Sequence, residues 1–145
     1  MRVRTVFLFF GFILFYSSST FSQQRITWKE LSIAYRSEIF PNESNDKITL
    51  SLKDIEGKQI TVRGYFLDLG ADSMWFMLSR FPFENCFFCT GVGPETVIEL
   101  GGFENEKSKF KTDDIVTATG TLYLVKEEDE YFYILKNCSV IPTEF

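Results

Sequence analysis

From Lys58 onward, apolar and polar residues alternate with period two in five short runs, and the first and fourth runs each have a glycine in the middle. The runs are "KQITVRGYFLDLG", "SMWFMLSRF", "ETVIEL", "DDIVTATGTLYLV" and "EYFYILKNCSVI". Alternation sends successive side chains to opposite faces, so each run reads as a strand with one buried face. Gly64 and Gly120 interrupt two of them, as a bulge or a sharp bend requires. "GADS" joins the first two runs, Pro94 and Gly101-Gly102 bound the third, and "KEEDE" turns the last two into a hairpin. Five short strands, two of them able to bend between sheets, predict an all-β domain with a short N-terminal helix: a five-stranded OB-like barrel over 57–145. An open β-sandwich is the alternative.

The segment 23–56 reads as a helix and lead-in. Thr27 stands three residues before Glu30, the capping-box spacing, with Ile26 and Leu31 placed as a hydrophobic staple across it, so a short amphipathic helix is expected from Trp28 to about Ser37. "PNESND" follows as a loop. "KITLSLKDIEG" is ambiguous, with room for one helical turn before Gly57.

Residues 1–22 have the pattern of a secretory signal peptide: Arg2 and Arg4, an apolar run from Val6 to Tyr16, then "SSSTFS" with Thr20 and Ser22 placed for cleavage before Gln23. Eleven apolar residues are too few to cross a bilayer core of about 30 Å, and no later run is longer, so the processed chain is expected not to span a membrane. No cysteine stands at the cleavage point to carry a lipid. The expected location is outside the cytoplasm, in the periplasm of a Gram-negative envelope or secreted. Of 15 basic residues, removal of Arg2 and Arg4 leaves 13 against 20 acids, a formal charge of −7. That charge disfavours nucleic acid, whose binding needs clustered Lys and Arg on phosphates.

The chain has no histidine, so the commonest general base and metal ligand are both missing. What remains for chemistry is cysteine. Cys86 and Cys89 form a Cys-x-x-Cys, and Cys138 follows 49 residues later. With a carboxylate such as Glu84 or Glu95, the three thiols would make a site suited to zinc or copper(I). In an oxidising compartment two of them would instead form a disulfide. Thioredoxin-like redox chemistry has less support, because the glycines and proline after Cys89 do not start the helix that lowers a thiol pKa. An OB strand order with the fourth strand running up and the fifth down would place Cys138 at the end where Cys86 and Cys89 lie.

Phe87 and Phe88 have two readings. They could plug the end of the barrel under the segment 103–114, which offers only Phe103 and Phe110 as apolar anchors. They could instead form an exposed docking tip for a partner. Asp68 and Asp72 in "LGADS" read as a solvated turn rather than a calcium loop. Trp75, Tyr65, Tyr131 and Tyr133 could form a stacking platform, but aromatic strand residues more often make core or cross-strand pairs.

Trp28-x-x-Leu31, "GKQITVRGYFLDLG", "FML" with the Cys-x-x-Cys loop and Gly-Pro, "VTATGTLYL" and the final aromatic strand resemble the DUF3299 family of exported bacterial proteins. Where many members carry a cysteine followed by a Pro-Asn-Gln stretch, this loop reads "CFFCTGVGP". The resemblance implies an OB-like fold, no established enzymatic activity and a link to membrane transport of metals. The expected function is a small exported accessory or ligand-binding module at the bacterial cell envelope. It would be non-enzymatic, with zinc handling the first specific role and an envelope transport or membrane protein as partner. A cysteine-based thiol–disulfide oxidoreductase, or a structural interaction module with a disulfide-stapled loop, is the alternative.

Overall fold

The computed structural model describes residues 24–41, 50–70, 75–85, 91–105 and 109–143. Residues 1–22, expected to be an export segment, lie outside them, as do Cys86, Phe87, Phe88 and Cys89. The elements in chain order are β1 (Gln24–Arg25), α1 (Trp28–Ile39), α2 (Leu52–Ile55), β2 (Gln59–Asp68), β3 (Phe76–Ser79), β4 (Val97–Gly101), β5 (Ile115–Glu127) and β6 (Glu130–Pro142). The five alternating runs are β2 to β6.

The chain is mostly β, a six-stranded mixed sheet in which five strands form a ring. β2 pairs antiparallel with β3 and with β5, β3 with β4, and β5 with β6. Parallel pairing of β4 with β6 completes the circuit. Two expected directions are therefore corrected: β5 runs opposite to β2, and β6 runs with β4. The cause lies at the re-entry point, where Phe66 and the residues just before β5 exchange backbone hydrogen bonds (Phe66 N–H to Asp114 and Asp113 N–H to Phe66, both 2.8 Å). The chain thus re-enters the sheet beside the end of β2, and β5 must run back down it. β6 then finishes at the end opposite the start of β4.

Both strand glycines are required by close approach. β2 pairs with β5 over Gln59–Tyr65 and with β3 over Tyr65–Asp68, so Gly64 sits at the handover. A Cβ there would lie 2.5 Å from the Ser79 carbonyl oxygen. Gly120 faces a bulge in β6, where the register slips between Thr119–Ser139 and Thr121–Lys136. Two residues, Asn137 and Cys138, oppose one there, and Asn137 takes a positive φ of 50°.

The lead-in closes one end of the ring. Thr27 and Glu30 form the expected capping box on α1, which runs two residues beyond the expected Ser37. Leu31, Ala34 and Tyr35, spaced i, i+3, i+4, face inward and join Ile26, Leu52, Ile55 and the ring interior in one core. The ambiguous stretch before Gly57 forms a single helical turn, α2, with its own Ser51–Asp54 capping box.

β1 was not expected. Because β3 stops pairing at Tyr65, the lower edge of β2 is left open, and the segment before α1 covers it. Gln24 and Arg25 pair in parallel with Ile60 and Thr61, Ile26 N–H donates to Thr61 O (3.0 Å), and Trp28 Nε1 donates to Arg63 O (2.7 Å).

At the other end Phe66, Phe76, Phe103 and Phe110 stack edge and face with centroids 5.5–6.3 Å apart. Asn105 clamps this lid, donating to Phe110 O (2.7 Å) and accepting from Phe110 N–H (3.0 Å). Phe103 and Phe110 therefore cover the core beneath 103–114 with partners from β2 and β3. The need that suggested Phe87 and Phe88 as a plug is met by described residues.

Candidate functional site

The outer face of β3, β4 and β6 carries an apolar groove of about 330 Å³. Alternation places Tyr133 and Leu135 inside the ring and Phe132 and Ile134 outside it. Register then sets Met77, Glu99 and Ile134 in one row across three strands, with Val97 and the Phe132–Val125 pair alongside. Met77 and Val97 are buried although they face outward, and with Leu67 and Leu69 they form a second small apolar cluster. Trp75, 44% exposed, stands at one end, and Glu127 on the hairpin at the other.

Glu99 is the group that gives this face chemistry. It is half-buried at the centre of an apolar row, and no hydrogen-bond or ion-pair partner for it occurs among the described residues. A carboxylate in apolar surroundings loses hydration that a cation or donor would restore. With the exposed Trp75 on the same groove, the site is suited to an apolar group carrying positive charge. Sequence reasoning missed it, because "ETVIEL" and "EYFYIL" look like ordinary half-buried strands. The available signal was "WFML", a continuous apolar run of the kind strands show when covered on both faces.

Cys138 packs against the core beside Gly120 and is a free thiol. Burial pushes its thiol up, which makes it a poor nucleophile at neutral pH. Because β6 ends opposite the start of β4, the topological reason for grouping Cys138 with Cys86 and Cys89 is removed. Those two residues lie outside the described ones, and so do Phe87 and Phe88. Among the described residues no three acidic or cysteine side chains gather as metal ligands would. Phe83, three residues before Cys86, is held through its N–H by Asp113 Oδ1 (2.7 Å), tying the start of that loop to the start of β5.

The aromatic residues considered as a platform do different things, although Trp75 and Tyr133 both line the groove. Tyr133 is buried and donates its hydroxyl to Leu31 O (3.2 Å), Tyr131 packs against the core edge with Lys126 over its ring, and Trp75 stands in the groove. Burial, then Glu130 and Glu95, push the Tyr35 phenol up to about 12, and burial raises Tyr133 further. Both stay protonated and serve as anchors between α1 and β6. Asp68 accepts from Gly70 N–H (3.4 Å), as a solvated turn residue does.

No family model matches the sequence, and no curated protein matches it. Among solved structures the chain is similar to a DUF3299 family protein from Pseudomonas aeruginosa PAO1, at 12% identity and a TM-score of 0.47, over 86% of this chain and 98% of the other.

Proposed function

We propose that the protein is a non-enzymatic binding module of the OB type, exported to the bacterial cell envelope, which takes its ligand or partner in the groove on β3, β4 and β6. The ring order β2-β3-β4-β6-β5, with its one parallel pairing between the third and fifth ring strands, supports the OB reading. In that fold the face of the second and third strands is the usual binding surface. Here those strands are β3 and β4, the floor of the groove. The observation that carries the reading is Glu99, a half-buried carboxylate without a partner among the described residues, set in an apolar row beside an exposed tryptophan. The favoured ligand is a basic–aromatic segment of an envelope protein. Export rests on the residue pattern of 1–22, and zinc handling on Cys86, Cys89 and Cys138 is the second reading, supported by the thiol spacing alone.

Two-dimensional amide NMR with an amidated tetrapeptide of alternating Phe and Lys tests the groove. Shifts should centre on Trp75, Met77, Glu99 and Phe132, and Glu99→Gln should weaken binding about tenfold, as loss of a charge-assisted contact does. An equal response to the corresponding Phe–Glu peptide would reject the groove as a cation-selective site.

A further inference from the structure

The opposite outer face has a different character. Arg25 on β1 is in register with Thr61 on β2, which is in register with Thr119 on β5, and Thr119 with Ser139 on β6. The next outward row pairs Arg63 with Thr117. Arg25, Thr61, Arg63, Thr117 and Thr143 line a concavity of about 330 Å³, and this described lining contains no carboxylate. Two guanidinium-bearing side chains from neighbouring strands thus share one hollow in a chain that is acidic as a whole. Diagonal neighbours on adjacent strands lie about 7–8 Å apart at Cα, within joint reach of two long side chains.

The hydroxyls are ordered as donors. Thr61 Oγ1 and Thr119 Oγ1 are 2.9 Å apart, and Thr117 Oγ1 and Thr143 Oγ1 are 2.8 Å apart. In the Thr117–Thr143 pair one hydroxyl proton is shared, and the other remains for a further acceptor. β-Branched residues on strands have few χ1 choices, so these oxygens are held before any ligand arrives. Fixed hydroxyls on β5 and just after β6, beside two planar guanidinium forks on β1 and β2, offer the convergent donors that a tetrahedral oxyanion accepts from.

We propose that this hollow is an oxyanion site, built by Arg25 and Arg63 with Thr117 and Thr143, for a phosphate- or sulfate-type group. It stands on a different face from the groove and does not rest on it.

Isothermal titration of the purified protein with inorganic phosphate, and separately with sulfate, tests it at low ionic strength. Saturable binding at one site is expected, weakened about tenfold by Arg63→Ala and by Arg25→Ala, and partly restored by Arg63→Lys. Arg80→Ala, which removes a guanidinium bonded to Ser32 on the α1 side, should bind as the parent does. Thr117→Val should bind more weakly with an unchanged unfolding temperature in the absence of anion. No binding, or equal loss in the Arg80 and Arg63 variants, would overturn the site. Vesicles containing phosphatidylglycerol form the second arm: free phosphate should bind with these residue dependences while vesicles do not sediment the protein. Sedimentation lost in the same variants, without phosphate binding, would overturn the free-anion reading in favour of a lipid surface.

Discussion

Gly64→Ala tests the ring at its most crowded point. The added methyl would stand 2.5 Å from the Ser79 carbonyl oxygen, 3.0 Å from Leu78 Cγ and 3.1 Å from Trp28 Cζ2. The first neighbour is backbone of the adjacent strand, so it cannot swing aside as a side-chain end would. Relief requires β2 and β3 to part at the Tyr65–Ser79 pair, or Trp28 to withdraw from Arg63 O. Overpacking of this kind costs about 1–3 kcal/mol, and the weakened Trp28 hydrogen bond adds about 1. A total of roughly 3 kcal/mol should lower the midpoint by about 10 °C in a domain this size. Thermal and urea unfolding followed by circular dichroism measure it, with Asp129→Ala at the exposed hairpin tip as reference. A Gly64→Ala midpoint within about 2 °C of that reference would refute the contact argument and the strand handover it depends on.

At the hairpin tip Glu128 takes a positive φ of 52° in the two-residue turn between Glu127 and Glu130, where glycine is favoured; Glu128→Gly should raise stability by about 0.5–1 kcal/mol in urea melts, and Glu128→Val should lower it. Hydrogen bonds from the Thr27 backbone and hydroxyl hold the Glu30 carboxyl below its ordinary value of 4.5, so its contribution is present above that pH and lost as pH falls through the lowered value. Glu30→Gln should therefore flatten the acid limb of the melting temperature against pH and leave the neutral plateau nearly level. The Tyr35 phenol, raised to about 12, works in the opposite direction: its contribution is complete below pH 10 and lost as pH rises toward 12, so Tyr35→Phe should blunt alkaline unfolding followed by tyrosinate absorbance. In a variant with Cys86 and Cys89 replaced by serine, Cys138 should alkylate with iodoacetamide at least about tenfold more slowly when native than in urea, and an equal rate would contradict its burial.

What was legible in the sequence follows from how strongly each feature is written locally. Ring strands that bury one face, such as "VTATGTLYLV", carry their period openly, whereas β3, buried on both faces, shows the unbroken apolar run "WFML" instead. Thr27 with Glu30 and Ser51 with Asp54 are local codes, and of the two only the first stood out before the fold was known. β1 has two residues, too few to show any period, and exists because β3 is short enough to leave Ile60 and Thr61 an open edge. The direction of β5 was likewise beyond a local reading, since it depends on Phe66 meeting Asp113 and Asp114 almost fifty positions away. Glu99 looked like one more solvent-facing strand residue until Met77 and Ile134 were placed on either side of it.

The ring fixes its interior tightly and leaves its two outer faces free to differ. Inward positions tolerate little, as Gly64 and Gly120 show, whereas Glu99, Arg25 and Arg63 point outward from strands whose pairing does not need them. The groove and the arginine–threonine hollow draw on different strands, apart from β5 and the β6 that follows it. Sites on separate faces with no shared partner should contribute independently. Glu99→Gln should thus change peptide binding without changing phosphate binding, Arg63→Ala should do the reverse, and the double variant should show both losses added in free energy. Both single variants should unfold near the parent temperature, because neither changes the packed interior. Coupling above about 0.5 kcal/mol between the two substitutions would mean that the faces communicate through the ring, and β5 and β6 would then be the elements to examine first.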